Sequence, residues 1–316
     1  MKWKLAVHQE KHWDAPHERT FDEVILTYLT ETAQCKRSAA TDRHRAKALR
    51  EHFRGTLMHS LNNQHLAQYA HARRAQGISN STINREMALL SSAIGYCNRE
   101  LDWQLPNPTA GRKLSEPEGR IRWLQQSEAE ALIKAASHAR RVPFLADLLT
   151  TALYTGCRKE ELLGLEWSRV DLRERLIHLE ARHTKAGKRR SIPLSSLAYK
   201  AILRRASFRS EHCPDAPWVF AFADGRRAND IRGAFAKACS DAGIDNFHFH
   251  DLRHTCAAWL VTAGAPLAEI RDLLGHSTIQ MTERYAHLAP ENLRTTVARF
   301  ESRFSHADQV PQQEAV

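Results

Sequence analysis

His250-Asp251-Leu252-Arg253-His254-Thr255 is the stretch on which the reading of this chain turns. It starts a helix-period segment and sets His250 and Arg253 on one face at i,i+3, and His250 and His254 on one face at i,i+4. Two arginines, a lysine, histidines and a single tyrosine are strung around it: Arg158 and Lys185 before, His276 and Tyr285 after. That set suits attack on a phosphodiester by a phenol while cations hold the phosphate. A tyrosine near pKa 10 is a poor nucleophile at neutral pH, so it needs an electropositive pocket and a proton acceptor.

The i,i+4 histidine pair also raises a metal reading. A zinc-protease helix carries glutamate after its first histidine, and Asp251 is too short to serve in the same way. With no further Asp/Cys/His cluster to complete a site, the expectation is no metal and no cofactor. The six cysteines are widely spaced with no Cys-x-x-Cys, which argues against both a zinc site and a secreted disulfide framework.

Outward from this core, each block has a bland explanation when taken alone. Thr155-Gly156-Cys157-Arg158 ends one helix and opens another, and Arg158 shares a face with Glu161. A surface ion pair accounts for that couple on its own. Lys185 lies in Lys185-Ala186-Gly187-Lys188, a turn between Leu176–Leu179 and Ser191–Leu194, which read as short strands. Leu274-Gly275-His276-Ser277 ends a helix, and Tyr285 lies about two turns into an expected helix over 278–286.

The rest of the chain reads mainly as α with a small β-sheet. Residues 1–19 form an irregular arm. Residues 20–104 carry four helices: one capped at Thr20-Phe21-Asp22-Glu23, others over 39–53 and 62–76, and a last one opened by Ser79 with Ile83, Met87, Leu90, Ile94 and Cys97 at helical spacing. Residues 105–122, with three prolines and two glycines, form a linker. Residues 123–305 form a second domain, with helices expected at 142–155, 229–242, 250–263, 267–274 and 290–304. Residues 306–316 are a polar, disordered tail.

The net charge of +10 and pI of about 9.5 point to a polyanionic partner, with nucleic acid first. Nine basic residues and no acidic one fall within 181–210, which favours an anion-binding face. No apolar run approaches the roughly 20 residues of a membrane span, and the first residues lack a signal-peptide core, so the expected location is the cytoplasm.

Together, Thr155–Arg158, Thr184-Lys185, His250–Thr255, Leu274–Ser277 and Arg284–His287 resemble the tyrosine recombinase (phage-type integrase) family in order and spacing. The helices before them, with Ser81-Thr82-Ile83-Asn84-Arg85-Glu86, are similar to the family's core-DNA-binding domain. The resemblance implies a site-specific recombinase that cuts and rejoins DNA through a 3′-phosphotyrosyl link. In it Tyr285 is the nucleophile, Arg158 and Arg253 clamp the phosphate, and Lys185 is the general acid. His250 is the base near the phenol, His276 bonds the phosphate, and Glu161 orients the pocket.

The resemblance further implies four protomers on two duplexes, and DNA-bending accessory proteins among the partners. Thr82, Asn84, Arg85, Arg120, Arg122, Lys188 and Arg189 are the candidates for contacting DNA. The first nineteen residues are too few for the separate arm-site domain of longer relatives. An integrase of a phage or other mobile element is favoured over a Xer-type chromosome-dimer resolvase, a type IB topoisomerase or a non-catalytic DNA-binding regulator.

Overall fold

In the computed structural model, residues 18–36, 38–117, 120–180, 189–288 and 297–302 are described. Lys185, Lys188 and their turn, the tail over 306–316, most of the N-terminal arm and most of the helix expected at 290–304 lie outside these residues. The chain divides into two compact units, Met1–Gly119 and Arg120–Val316. The break falls inside the proline- and glycine-bearing stretch 105–122.

The first unit is built from α1 (Phe21–Thr32), α2 (Ala39–Phe53), α3 (Asn63–Ala75) and α4 (Asn80–Leu101). The capping box is present at α1: Thr20 accepts from the Glu23 amide, and Glu23 returns to the Thr20 amide at 2.8 Å. Asn62 and Ser79 cap α3 and α4 through their side chains. The long α4 buries Ile83, Met87, Leu90, Ile94 and Cys97 along one face, against Phe21, Val24, Leu49 and Phe53. The same face buries one carboxylate, Glu86, which accepts from the Tyr69 hydroxyl at 2.7 Å and Arg73 Nη2 at 2.6 Å.

The second unit comprises α5 (Gln126–Ala136), α6 (Leu145–Thr155), α7 (Lys159–Leu163), β1 (Val170–Asp171), β2 (Leu176–Leu179), β3 (Arg190–Pro193), α8 (Ser196–His212), α9 (Arg232–Asp241), α10 (Asp251–Thr262), α11 (Leu267–Leu274) and α12 (Gln280–Glu283). The three strands form an antiparallel sheet in the order β1-β2-β3, with Leu179 opposite Arg190. At the centre lies α6, whose Leu145, Leu148, Leu149, Ala152 and Leu153 are buried almost all round. Truncating one such leucine to alanine costs about 2–5 kcal/mol.

Of the basic run over 181–210, residues 189–210 are described, and several of their charges are taken up inside the fold. Much of it lies on α8, a helix the apolar periodicity does not single out because arginines interrupt it. Arg204 pairs with Asp147 at 2.6 Å. Arg205 is buried, and its guanidinium donates to the Ala221 carbonyl at 2.8 Å and lies over the Phe208 ring. Arg190 is spent on Glu161. Folding thus engages three of the five described arginines in the run, Arg190, Arg204 and Arg205.

Candidate active site

Helix α6 ends at Gly156, whose φ of 62° is left-handed. A Cβ at this position would lie 2.2 Å from Leu274 Cδ2 and 3.3 Å from Cys256 Sγ, so α10 and α11 approach the turn only because it is glycine. The Gly156 carbonyl accepts from Arg253 Nη1 at 2.8 Å. Two residues on, Arg158 caps α7. Its amide donates to Glu161 Oε2 and its Nη1 to Glu161 Oε1, both at 2.9 Å, while its Nη2 reaches the Gly275 carbonyl at 3.3 Å. Glu161 is buried, yet the arginines beside it hold its carboxyl below the usual glutamate range against the opposing effect of burial.

Arg253 comes from α10 and is only 3% exposed. Burial, with Arg158 and Arg190 alongside, pulls its guanidinium down to about 10, which leaves it charged at neutral pH. Its Nη2 is buried with no hydrogen-bond partner among the described residues. An uncompensated buried cation with an unused donor is costly, and an anion in the pocket relieves both problems.

The tyrosine sits elsewhere than a simple helix reading predicts. Helix α12 ends at Glu283 and Tyr285 falls in the turn beyond it, not within a helix running to 286. Turning there buries the ring among Cys256, Ala257, Val261, Ile270 and Leu274. Burial pushes the phenol up to about 12, against the pull of Arg284 and Arg253. The hydroxyl meets Nδ1 of His254. His250 was the expected base. It lies at the start of α10 with its ring centroid 5.1 Å from that of His254. The signal for His254 was its place one turn after His250 and next to Arg253. His276 Nδ1 is held by the Thr282 hydroxyl at 2.8 Å.

Burial, then neighbouring positive groups, depress both His254 and His276 to about 4. Both rings are therefore neutral at pH 7 in the free protein. Between pH 6.5 and 4 the unfolded chain binds protons that the folded one refuses, so stability falls with acidification across that window. Thermal unfolding should show this slope between pH 7 and 4.5, and His254→Gln should flatten it. An identical slope in that variant would place the acid sensitivity elsewhere.

The candidate DNA contacts are scattered. Arg120 pairs with Asp251, touches the Asn246 carbonyl and lies 2.7 Å from His248 Nδ1, so it fastens the start of α10. Arg122 pairs with Glu128. The Asn84 amide accepts from the Leu114 amide at 2.8 Å and donates to its carbonyl at 2.9 Å, tying residues 114–116 to α4. Thr82 lies 3.2 Å from the Ser79 hydroxyl. Arg85 lines a cleft of about 940 Å³ in the first unit, with Arg99, Arg112 and Lys113. Arg189 lines a cleft of about 430 Å³ with Arg271, Gly275, His276 and Ser277. Among the described residues, no group of three or more His, Cys, Asp or Glu is placed to hold a metal ion, and no helix is long and apolar enough to cross a membrane.

Residues 122–292 match the phage integrase family, and residues 17–114 match the phage integrase N-terminal domain. The chain belongs to the phage integrase family. It is similar to the integrase of Salmonella phage P22, with 30% identity over 219 residues that cover 65% of this chain and 54% of the relative. Tyrosine recombinase XerC of Corynebacterium glutamicum is 30% identical over 174 residues, covering 54% and 56%. The chain thus spans about half the length of these relatives. In fold it is similar to the integrase of transposon Tn1549 solved with circular-intermediate DNA, at TM-score 0.73 and 21% identity over 89% of this chain and 99% of that one.

Proposed function

We propose that the protein is a tyrosine-type site-specific DNA recombinase, the integrase of a phage or other mobile element. The observation that carries the reading is the buried, unpartnered Arg253 nitrogen in the same pocket as a histidine-bound phenol. A phosphate fits there: Arg158 and Arg253 offer planar donors to its non-bridging oxygens. Tyr285 attacks the phosphorus and forms a 3′-phosphotyrosyl bond as the bond to the 5′-oxygen breaks. His254, neutral and in contact with the hydroxyl, takes the phenolic proton, in place of His250. His276, steadied by Thr282, donates to the phosphate from Nε2. Lys185 gives the leaving 5′-oxygen its proton.

The covalent link conserves the bond energy, so a second strand's hydroxyl can reverse the step without a nucleotide cofactor. Exchange between two duplexes needs four strand cuts, hence four protomers. DNA-bending accessory proteins fit as further partners, and the cytoplasm fits as the location.

The test is a nicked duplex carrying the protein's selected core site, incubated in EDTA and run on a denaturing gel. The expected product is a covalent protein–DNA adduct with a free 5′-hydroxyl, formed as fast as without chelator, because fixed cations supply the charge. A strict divalent-metal requirement, or no adduct on any selected site, would overturn the reading.

A further inference from the structure

Glu161 accepts four hydrogen bonds, and only two come from Arg158. The others come from Arg190: Nη2 to Oε2 at 2.6 Å and Nη1 to Oε1 at 3.3 Å. Four donors fill the acceptor capacity of a carboxylate. The Arg190 side chain is 8% exposed, and its Nε is buried with no hydrogen-bond partner among the described residues. A guanidinium sunk this deeply on the first residue of a strand calls for a reason beyond surface charge. Glycine at 275 makes room for it: a Cβ there would meet Arg190 Nη1 at 2.8 Å and its Cδ and Cζ at 3.1 Å. The same glycine's carbonyl accepts from Arg158 and its successor is His276. Arg190, Glu161, Arg158 and the turn before His276 are therefore one packed assembly.

Charge bookkeeping shows what the third arginine does. Without it, Arg158 would be the one guanidinium hydrogen-bonded to the buried Glu161 carboxylate, with Arg253 acting on it only through its charge. The carboxylate would draw that guanidinium into a two-pronged pair and compete with an incoming phosphate for its donors. With Arg190 holding Glu161, Arg158 commits one side-chain nitrogen to the carboxylate and one, at 3.3 Å, to a carbonyl.

We infer that Arg190 is a positioning residue for strand cleavage: by saturating Glu161 it keeps Arg158 directed at the scissile phosphate. The inference rests on the proposed recombinase function. Arg190 touches no substrate in this scheme, so its loss is felt through Arg158 and through the charge on the phosphate.

The experiment measures single-turnover adduct formation by wild type, Arg190→Met and Arg190→Lys on two nicked duplexes. One has a normal scissile phosphate and the other a neutral methylphosphonate in its place. Duplex affinity and unfolding temperature are measured alongside. The expected result is near-normal duplex affinity for Arg190→Met, with adduct formation on the phosphate slowed about 100-fold. On the methylphosphonate the deficit relative to wild type should shrink sharply, because a linkage without the anionic oxygen needs less from Arg158. Arg190→Lys should fall between.

Equal deficits on both linkages would show a general loss of folded protein and overturn the inference, as would an undiminished rate in Arg190→Met. If Arg190→Met is too unstable to measure, Arg190→Lys decides by the same ratio. Wild-type adducts abolished by Tyr285→Phe, together with equal deficits for the Arg190 variants, would sink this inference and leave the recombinase reading standing. The absence of any wild-type adduct would sink the recombinase reading itself.

Discussion

Tyr285→Phe should bind its duplex as the parent does and leave no covalent protein–DNA adduct. The aromatic ring keeps its place against Cys256, Val261, Ile270 and Leu274, so the C-terminal packing survives. What goes is the hydroxyl and its contact with His254. The histidine is only half-buried, so losing that bond should change stability by less than about 1–2 kcal/mol. Loss of a covalent-catalysis nucleophile lowers turnover on the order of a million-fold, which is below detection on a gel. Affinity should be kept because the removed atom is buried, with Tyr285 only 1% exposed in the free protein. An adduct that persists in Tyr285→Phe would mean another nucleophile.

Arg253→Met should separate stability from activity in the opposite direction. The parent buries a cation beside two other arginines, against a single carboxylate, and leaves one of its nitrogens unbonded. Methionine of similar length removes the desolvation and the repulsion. It loses one hydrogen bond, to the Gly156 carbonyl. Replacing a buried charge with a well-packed apolar side chain is often neutral or stabilising by about 1–4 kcal/mol. We therefore expect Arg253→Met to unfold at the same or a higher temperature than the parent. Adduct formation should drop about 100- to 1,000-fold, the usual effect of removing one preorganised donor from a site of developing charge. A variant that unfolds well below the parent would show that Arg253 serves the fold and not the phosphate.

Much of the helical framework was legible because its signals are local. Thr20 with Glu23, Ser79, Gly156 and Gly275 mark helix ends by their own chemistry, and the spacing of Ile83, Met87, Leu90, Ile94 and Cys97 states which face of α4 is buried. The order of Arg158, Arg253, His276 and Tyr285 along the chain was enough to group them. What could not be read is what depends on pairing across the fold. Nothing local says that Arg190 meets Glu161 twenty-nine residues earlier, or that Arg120 meets Asp251. Nothing local separates His254 from His250 as the partner of the phenol, since both lie on one face of α10. The short α12 was overrun for the same reason: the apolar pocket that takes Tyr285 comes from α10 and α11, and its pull outweighs helix continuation. Over 189–210 composition counts charges without saying which ones the fold will neutralise, as with Arg190, Arg204 and Arg205.

The buried resting place of Tyr285 bears on genome safety. A protein–DNA adduct at a random site is a lesion, and a recombinase meets far more random sequence than target. In the free protein the phenol, pushed up to about 12 inside an apolar cluster, is neutral at pH 7 and almost fully buried. Under the proposed function, exposing it means giving up that burial, so stray breaks should be rarer the more firmly Ile270 and Leu274 hold the ring. Substitutions that loosen Ile270 or Leu274 would then act as mutators: they would raise off-target breakage without touching a single residue that contacts the phosphate.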